Sequence, residues 1–568
     1  MMRSVLILVM AVVPAVAQID LSGEWNPVFH EDQPERIPGP EIGDYLGLPI
    51  TDAARMRGDS WDAEILTLLE HQCKPHPADY GPRGPFNVRI WKEVDPATQQ
   101  IIAWHTHGSW QAPERTIYMD GRPHPPEYAA HTWQGFSTGK WEGDILTITT
   151  THLKTGWIRR NGIPRSDRAT LTEHWIRHDN RFTWVSIVND PVYLTEPFVR
   201  STDFMLDPRQ QIDPYPCEAV TEVPRAKGEV PNFLPGTNPF LSEFATKHKI
   251  PEKAARGGAD TMYPMGKDGG GSAPVKLPAR VSADDGEIHI LPVQGNIYML
   301  VGGGGNTAVQ AGKDGVLVVD TKEAPQADKL IAAIRKISDK PIRYVLNTSA
   351  DTDLTGGNEK LANSGATITG GNVARSDAGF GATMVAHEKV GVRMREAGAP
   401  PGGWPQDTYF TEGKDLFVNG EAVQISHPPA AHSDGDSLVF FRRSDVVSTG
   451  DIFVPGRYPV IDVAHGGTLN GVVNALNRIL DITVPADKEE GGTMVIPGHG
   501  RLCDEADVVE YRDAMTIIHD RILDLVKKGR TLEQVKAAKP TQDYDPVYGA
   551  SDAFVEAAYR SLSVAAKK

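Results

Sequence analysis

The chain has 568 residues, and at about 150 residues per domain that length asks for two or three domains rather than one. It carries 58 Lys and Arg against 74 Asp and Glu, a formal net charge of -16, with 40% hydrophobic and 23% charged residues. This is the composition of a globular protein; it argues against a nucleic-acid partner, and three cysteines exclude both a disulfide scaffold and a four-thiolate zinc site.

Arg3, the apolar run VLILVMAVV and the small-x-small pattern Ala15-Val16-Ala17 before Gln18 read as a signal peptide over residues 1–17. The expectation is a secreted or periplasmic protein with no stable membrane insertion after cleavage, since no later run is long and apolar enough to span a bilayer. In an oxidising compartment Cys73 and Cys217 are able to pair; three unpaired buried thiols are the alternative.

From residue 18 to about 230 the chain is rich in tryptophan, proline and short strand-like runs, among them VRIWKEV, QQIIAWHTH, DILTITTTHL and RFTWVSIV. Turns such as DGRP, WEGD and HDN separate them, which predicts an antiparallel sheet or barrel. Residues 231–277 are broken by glycine and proline and read as a connection with one short helical piece at EFATKHKIPEKAARGG.

A second domain is expected over 278–540, followed by a helical tail over 541–568. EIHILPV, NIYMLVG, NTAVQAG and GVLVVDT predict closely spaced strands, with the Gly302–Gly305 run as a hairpin turn. Helix QADKLIAAIRKI, strand IRYVLNTS and strand ATITGG follow, then a second series from DLFVNG to TMVIPGH with a helix around LNGVVNALNRIL. Strands interspersed with helices point to a layered domain with the sheet inside, and Glu505–Lys528 has the spacing of an amphipathic helix packed on it.

The polar residues that stand out sit where strands end. Strand IRYVLNT leads into Ser349, Asp351 and Asp353; later come His427, His432-Ser433-Asp434-Gly435-Asp436, Asp451 after DVVSTG, and His499 between two glycines after TMVIPG. Carboxylate and imidazole donors gathered at converging strand ends suit a divalent ion such as zinc, manganese or iron.

The motifs LVVDTK, NTSADTDLTGGN, AHSDGD, STGDIF with GRYPVID, and VIPGHG resemble the metallo-β-lactamase superfamily over about residues 280–530. The resemblance implies an α+β chain: a C-terminal αβ/βα four-layer sandwich with a metal centre, behind the antiparallel β-rich domain. It also implies hydrolysis of a small-molecule substrate that the sequence does not identify. In the family the motif after NT is His-x-His-x-Asp-His; here Ser349, Asp351 and Leu354 replace the histidines. By resemblance the retained metal ligands are Asp351, Asp353, His432, Asp451 and His499, with Asp353 also the catalytic proton handler. Asp351, His432 and Asp451 make one three-ligand set, and Asp353, Asp451 and His499 the other. The expected cofactor is one divalent ion, zinc, manganese or iron, or none, in which case the chain is a binding or structural protein that keeps the fold. Arg457, Tyr458 and His465 are expected along the pocket wall, and His427 behind His432.

The segments LSGEW, RTIYMDGRPHPPEY and FSTGKWEGDILTITTTHL resemble a β-rich domain of secreted proteins from environmental bacteria. Its aromatic and basic residues, such as His105, Arg122, His124 and Trp133, either receive a carbohydrate, polyphenol or carboxylate or simply fill core and turn positions.

Overall fold

The structure is a computed structural model, and it describes residues 19–28, 41–83, 87–109, 112–213, 215–226, 228–258, 285–367, 381–488 and 491–565. The expected leader over 1–17, positions 259–277 of the expected connection, and positions 368–371 of the strand expected at ATITGG lie outside those residues.

Among the described residues, nine strands of the N-terminal half close into a barrel. In spatial order they are Gly23–Pro27, Phe198–Leu206, Arg181–Asn189, Thr170–His178, Ile145–Thr151, Phe136–Glu142, Ala112–Tyr118, Ile101–Gly108 and Val88–Val94, the last pairing back onto the first. Alternation explains the faces: in ILTITTT, Leu146, Ile148 and Thr150 point inward, while their neighbours are partly exposed. Tryptophan fills the barrel, with Trp175 opposite Trp184 across two strands and their rings edge to face at 5.1 Å. The expectation of a purely antiparallel sheet needs one correction. Ile117 and Tyr118 pair in parallel with Ser137 and Thr138, because the long segment between these strands returns the chain to the same end of the barrel.

Residues 231–258, expected as a connection, pack onto the segment at 41–61. The Tyr45 N–H donates to the Ala255 carbonyl, the Phe233 N–H to that of Ser60, and Asn238 to that of Asp59.

The C-terminal half holds two sheets face to face. The first runs His289–Pro292, Ile297–Val301, Thr307–Gly312, Gly315–Val319, Ile342–Leu346, Thr383–His387 and Asp407–Tyr409. The second runs Gly413–Val418, Glu421–Ser426, Leu438–Phe441, Val446–Ser448, Met494–Ile496 and Cys503–Asp504. Between them lies a core that includes Met299, Leu317, Leu346, Val423, Phe441 and Ile496. Helix Ala327–Ile337 covers the outer face of the first sheet, and helices Leu469–Ile482, Glu505–Lys527 and Asp552–Ala565 cover that of the second. This is the αβ/βα sandwich, and the C-terminal tail is part of its outer layer: Phe554, Val555, Ala558 and Leu562 are buried in it. Gly302–Gly305 joins the antiparallel strands Ile297–Val301 and Thr307–Gly312, as a hairpin should. No helix among the described residues is long and apolar enough to cross a membrane.

Buried charge joins the halves. Lys154 of the barrel domain reaches Asp504 at 2.7 Å and Asp507 at 3.1 Å, the two residues whose side chains form the capping box of helix Glu505–Lys527. Arg501 bridges Asp507 and Asp167 of the barrel domain, and Arg512 holds Glu222 at 2.7 Å. Cys73 and Cys217 form a disulfide that ties two segments of the N-terminal half across 144 positions of sequence.

Inside the barrel, Arg115 donates to both carboxylate oxygens of Glu173, to Ser137 and to Thr150, and the Trp184 Nε1–H donates to Glu173 at 2.7 Å. Removing one partner leaves an uncompensated buried charge. Arg115→Met is therefore expected to destabilise the protein by about 3–5 kcal/mol in denaturant unfolding followed by tryptophan fluorescence. Arg115→Met with Glu173→Leu should recover most of that loss; equal unfolding of the single and double variants would contradict the account.

Candidate metal centre

The loop after strand Ile342–Leu346 is shaped by residues that do not themselves belong to the centre. Asp320, buried and in the left-handed region at φ 62°, accepts from the Thr348 N–H at 2.8 Å and from its hydroxyl at 2.6 Å. Burial pushes the Asp320 carboxyl up to about 8 against the Thr348 hydrogen bonds, with the charges of Asp451 and Asp353 adding to the rise. Asn306 grips the loop that carries His499: its N–H donates to the Gly498 carbonyl, and its side-chain amide donates to those of Pro497 and Gly500. Lys322, fully buried, donates to the carbonyls of Leu300 and Gly305 and so fixes the glycine-rich hairpin against the same region.

These supports bring the five expected residues together from four strand ends. Asp351, His432 and Asp451 form one group and Asp353, Asp451 and His499 another, and in each group the donor atoms lie within 4.8 Å of one another. His432 Nδ1 donates to the Val460 carbonyl at 2.8 Å, which aims Nε2 at Asp351 Oδ2, 2.8 Å away. His499 Nε2 is 2.9 Å from Asp353 Oδ2 and 3.5 Å from Asp451 Oδ1. Asp351 and Asp353 are 41% and 32% exposed and form the mouth; His432 at 6% and Asp451 at 11% form the floor.

The electrostatics are those of crowded like charges. Burial opposes a charged His432, but its hydrogen bond to Asp351 and the nearby Asp436 outweigh it and push the ring up to about 10. Asp351 is held below its ordinary range: burial raises it, and the contact with His432 more than compensates. Asp451 rises to about 6, through burial and the charges of Asp351 and Asp353, in spite of His499 and His432. Its Oδ1 is buried with no hydrogen-bond partner. A buried carboxylate oxygen without a donor, common to both groups, fits a divalent cation.

Of the three replaced positions, Asp351 supplies a donor, while Ser349 and Leu354 stand in neither group. The Ser349 hydroxyl accepts from the Asp351 N–H at 3.2 Å within its own turn. Leu354 is buried against Gly305, where an added Cβ would come within 2.4 Å of Leu354 Cδ2.

Of the expected wall residues, His465 is half exposed, with Nδ1 bound to Asp462, and it stands in neither donor group. Tyr458 does not face the centre. Its hydroxyl donates to Asp545 at 2.8 Å and its ring stacks on Phe554, because the chain turns there into the outer helical layer. His427 stacks on His387 with centroids 4.0 Å apart, and its Nδ1 contacts the carbonyl of Asp436, whose carboxylate in turn binds Ser433 beside His432. Asn306, Lys322 and Arg393, which pairs with Asp434 next to the mouth, were not identified from sequence. Their partners are too distant along the chain for local patterns to reveal; a lysine three residues after the apolar run LVV was the one signal available.

The sequence profile of the Metallo-beta-lactamase superfamily matches residues 292–499. A linear primary-alkylsulfatase from Pseudomonas sp. (strain ATCC 19151) is 24% identical over 271 residues, covering 41% of this chain and 50% of that protein. Among solved structures, the sec-alkylsulfatase Pisa1 from Pseudomonas sp. is 16% identical, with 48% of this chain and 50% of that one covered and a TM-score of 0.37. A metallo-β-lactamase from Pontibacter korlensis is 14% identical, with 40% and 99% covered and a TM-score of 0.31. The chain thus spans about half the length of the curated relative it matches.

Gly498 stands where a Cβ would come within 2.5 Å of Asp451 Oδ1 and 2.6 Å of the Gly450 backbone. Gly498→Ala should displace Asp451 and weaken manganese binding by about 10–100-fold in titration calorimetry. Unchanged binding would contradict the role given to this close approach.

Proposed function

Since residues 292–499 form a domain that belongs to the metallo-β-lactamase superfamily, we propose that the protein is a secreted or periplasmic hydrolase working with one divalent ion at a carboxylate-rich centre. The observation that carries this reading is Asp451: a deeply placed carboxylate shared by both donor groups, with one oxygen lacking any hydrogen bond. Each group offers two carboxylates and one imidazole, a harder and more negative set than histidine-rich ones. Manganese or iron is favoured over zinc by that change.

A bound ion supplies Lewis-acid charge to the bond being broken. The protein's residues divide the remaining work. Asp451 holds both halves of the centre in register from the floor. His432, fixed by Val460, presents one defined nitrogen beside Asp351. Asp353, at the mouth and steadied by His499 at 2.9 Å, is placed to take the proton of an attacking water and pass it to the leaving group. The likeness to a linear primary-alkylsulfatase puts alkyl sulfate esters first among the small molecules to be tried. The leader-like residues before Gln18 and the Cys73–Cys217 disulfide support an oxidising compartment.

A second reading, a binding protein without catalysis, is favoured by the local turn that occupies Ser349 and by the packing that buries Leu354. Calorimetry with zinc and manganese, paired with hydrolysis assays on sulfate, phosphate and carboxylate esters, separates the two. Wild type should bind manganese at least as well as zinc, and Asp451→Ala should weaken binding about 100-fold or more, since it removes a donor from both groups. Leu354→His with Ser349→His and Asp351→His should shift preference toward zinc. If wild type binds neither ion tighter than millimolar and Asp451→Ala behaves identically, the hydrolase reading fails and the binding-protein reading stands.

A further inference from the structure

Between the barrel domain and the C-terminal domain lies a cavity of about 650 Å³, and none of the five residues of the metal centre lines it. Its volume and its place at a domain junction are those of a small-molecule site. Phe453, Pro455 and Tyr511 from the C-terminal domain line one side.

The other side is aromatic. Trp61, Trp133 and Trp157 line it, together with Tyr80, whose ring lies parallel to that of His76 with centroids 3.8 Å apart. Burial, with Arg83 and Arg160 nearby, keeps His76 neutral, and burial with Lys74 does the same for His71. These imidazoles therefore present flat, uncharged faces.

The charges along the cavity are unevenly committed. Arg57 is paired with Glu510, Lys154 with Asp504 and Asp507, and Arg501 with Asp507 and Asp167. Lys74 and Arg160 line the same cavity and form no ion pair among the described residues; Lys74 lies 3.5 Å from the neutral His71 nitrogen and acts at longer range on the carboxyls of Glu222 and Glu505. Arg160 is close enough to His76 to act on its ring and so borders the aromatic stack, while Lys74 stands beside His71 on the same wall. The disulfide at Cys73, next to Lys74, staples this wall to the segment of Tyr215 and Cys217, which also lines the cavity. A wall fixed in this way loses little freedom when a ligand enters.

We propose that this cavity is a second ligand site, distinct from the metal centre, for a flat aromatic molecule bearing one anionic group. The rings of Trp61, Trp157 and Tyr80 receive its aromatic part, and the positive charges of Lys74 and Arg160, held in no ion pair among the described residues, select the anion.

The test is a fluorescence and calorimetric titration of the full chain with naphthalene sulfonate and with its neutral counterpart, naphthalene methanol. Saturable binding of the sulfonate at one site per chain is expected, with the neutral compound about tenfold weaker or worse. Lys74→Ala with Arg160→Ala should erase that preference, and Trp157→Ala should weaken both compounds. Arg160 is exposed, so Arg160→Ala alone serves as the variant least able to disturb folding, and it should reduce the preference in part. Asp451→Ala, which disables the metal centre, should leave sulfonate binding unchanged; loss there would place the probe at the metal centre and overturn the proposal. Absence of saturable binding, equal binding of the two compounds by wild type, or a preference that survives the double substitution would overturn it as well.

Discussion

The repulsion among Asp320, Asp351, Asp353 and Asp451 is the constraint around which the C-terminal domain is organised. Four carboxylates near one another, with Asp320 and Asp451 largely out of water, are unstable unless each finds a donor, a counter-charge or a proton. Asp320 takes two hydrogen bonds from Thr348, Asp351 takes the contact with His432, and Asp353 takes that with His499. Asp451 is left with the weakest arrangement, and burial with the charges of Asp351 and Asp353 raises its carboxyl to about 6. The glycines at 450 and 498 permit the close backbone approach that puts it there. A Cβ at Gly450 would come within 2.3 Å of the Thr348 hydroxyl, and the Gly450 backbone is already left-handed.

The surrounding framework works against the same repulsion by making the loops rigid. Asn306 satisfies three carbonyl or amide groups around His499, and Lys322 neutralises two buried carbonyl dipoles under the glycine-rich hairpin. Farther out, Arg501 carries charge pairing from the His499 loop into helix Glu505–Lys527 and into the barrel domain. Position and charge at the centre thus depend on contacts made by residues far from it in sequence.

That dependence also sets what the sequence could reveal. The two-sheet sandwich was legible because LVV, VVS and MVI are short apolar runs separated by turn residues, and the site residues followed from their places just beyond those runs. The substituted histidines were visible as letters, but not the reason they matter: Ser349 is consumed by its own turn, and Leu354 is locked against Gly305. The barrel's parallel seam escaped because pairing direction between Ala112–Tyr118 and Phe136–Glu142 is decided by the path of the chain between them, not by the strands. The residues at 231–258 read as connection because glycine and proline break both periodicities, yet Phe244, Ala245 and Ala255 bury themselves in a small core of their own.

Lys154 has a consequence beyond the stability of the junction. It belongs to the barrel domain, yet the two carboxylates it neutralises are the capping box of the helix that follows the His499 loop. A C-terminal half inherited without its barrel would carry Asp504 and Asp507 side by side with one fewer cation to balance them. The two halves are therefore expected to travel through evolution as a pair, and a recombinant that exchanged one barrel for another would have to bring a lysine to that same spot.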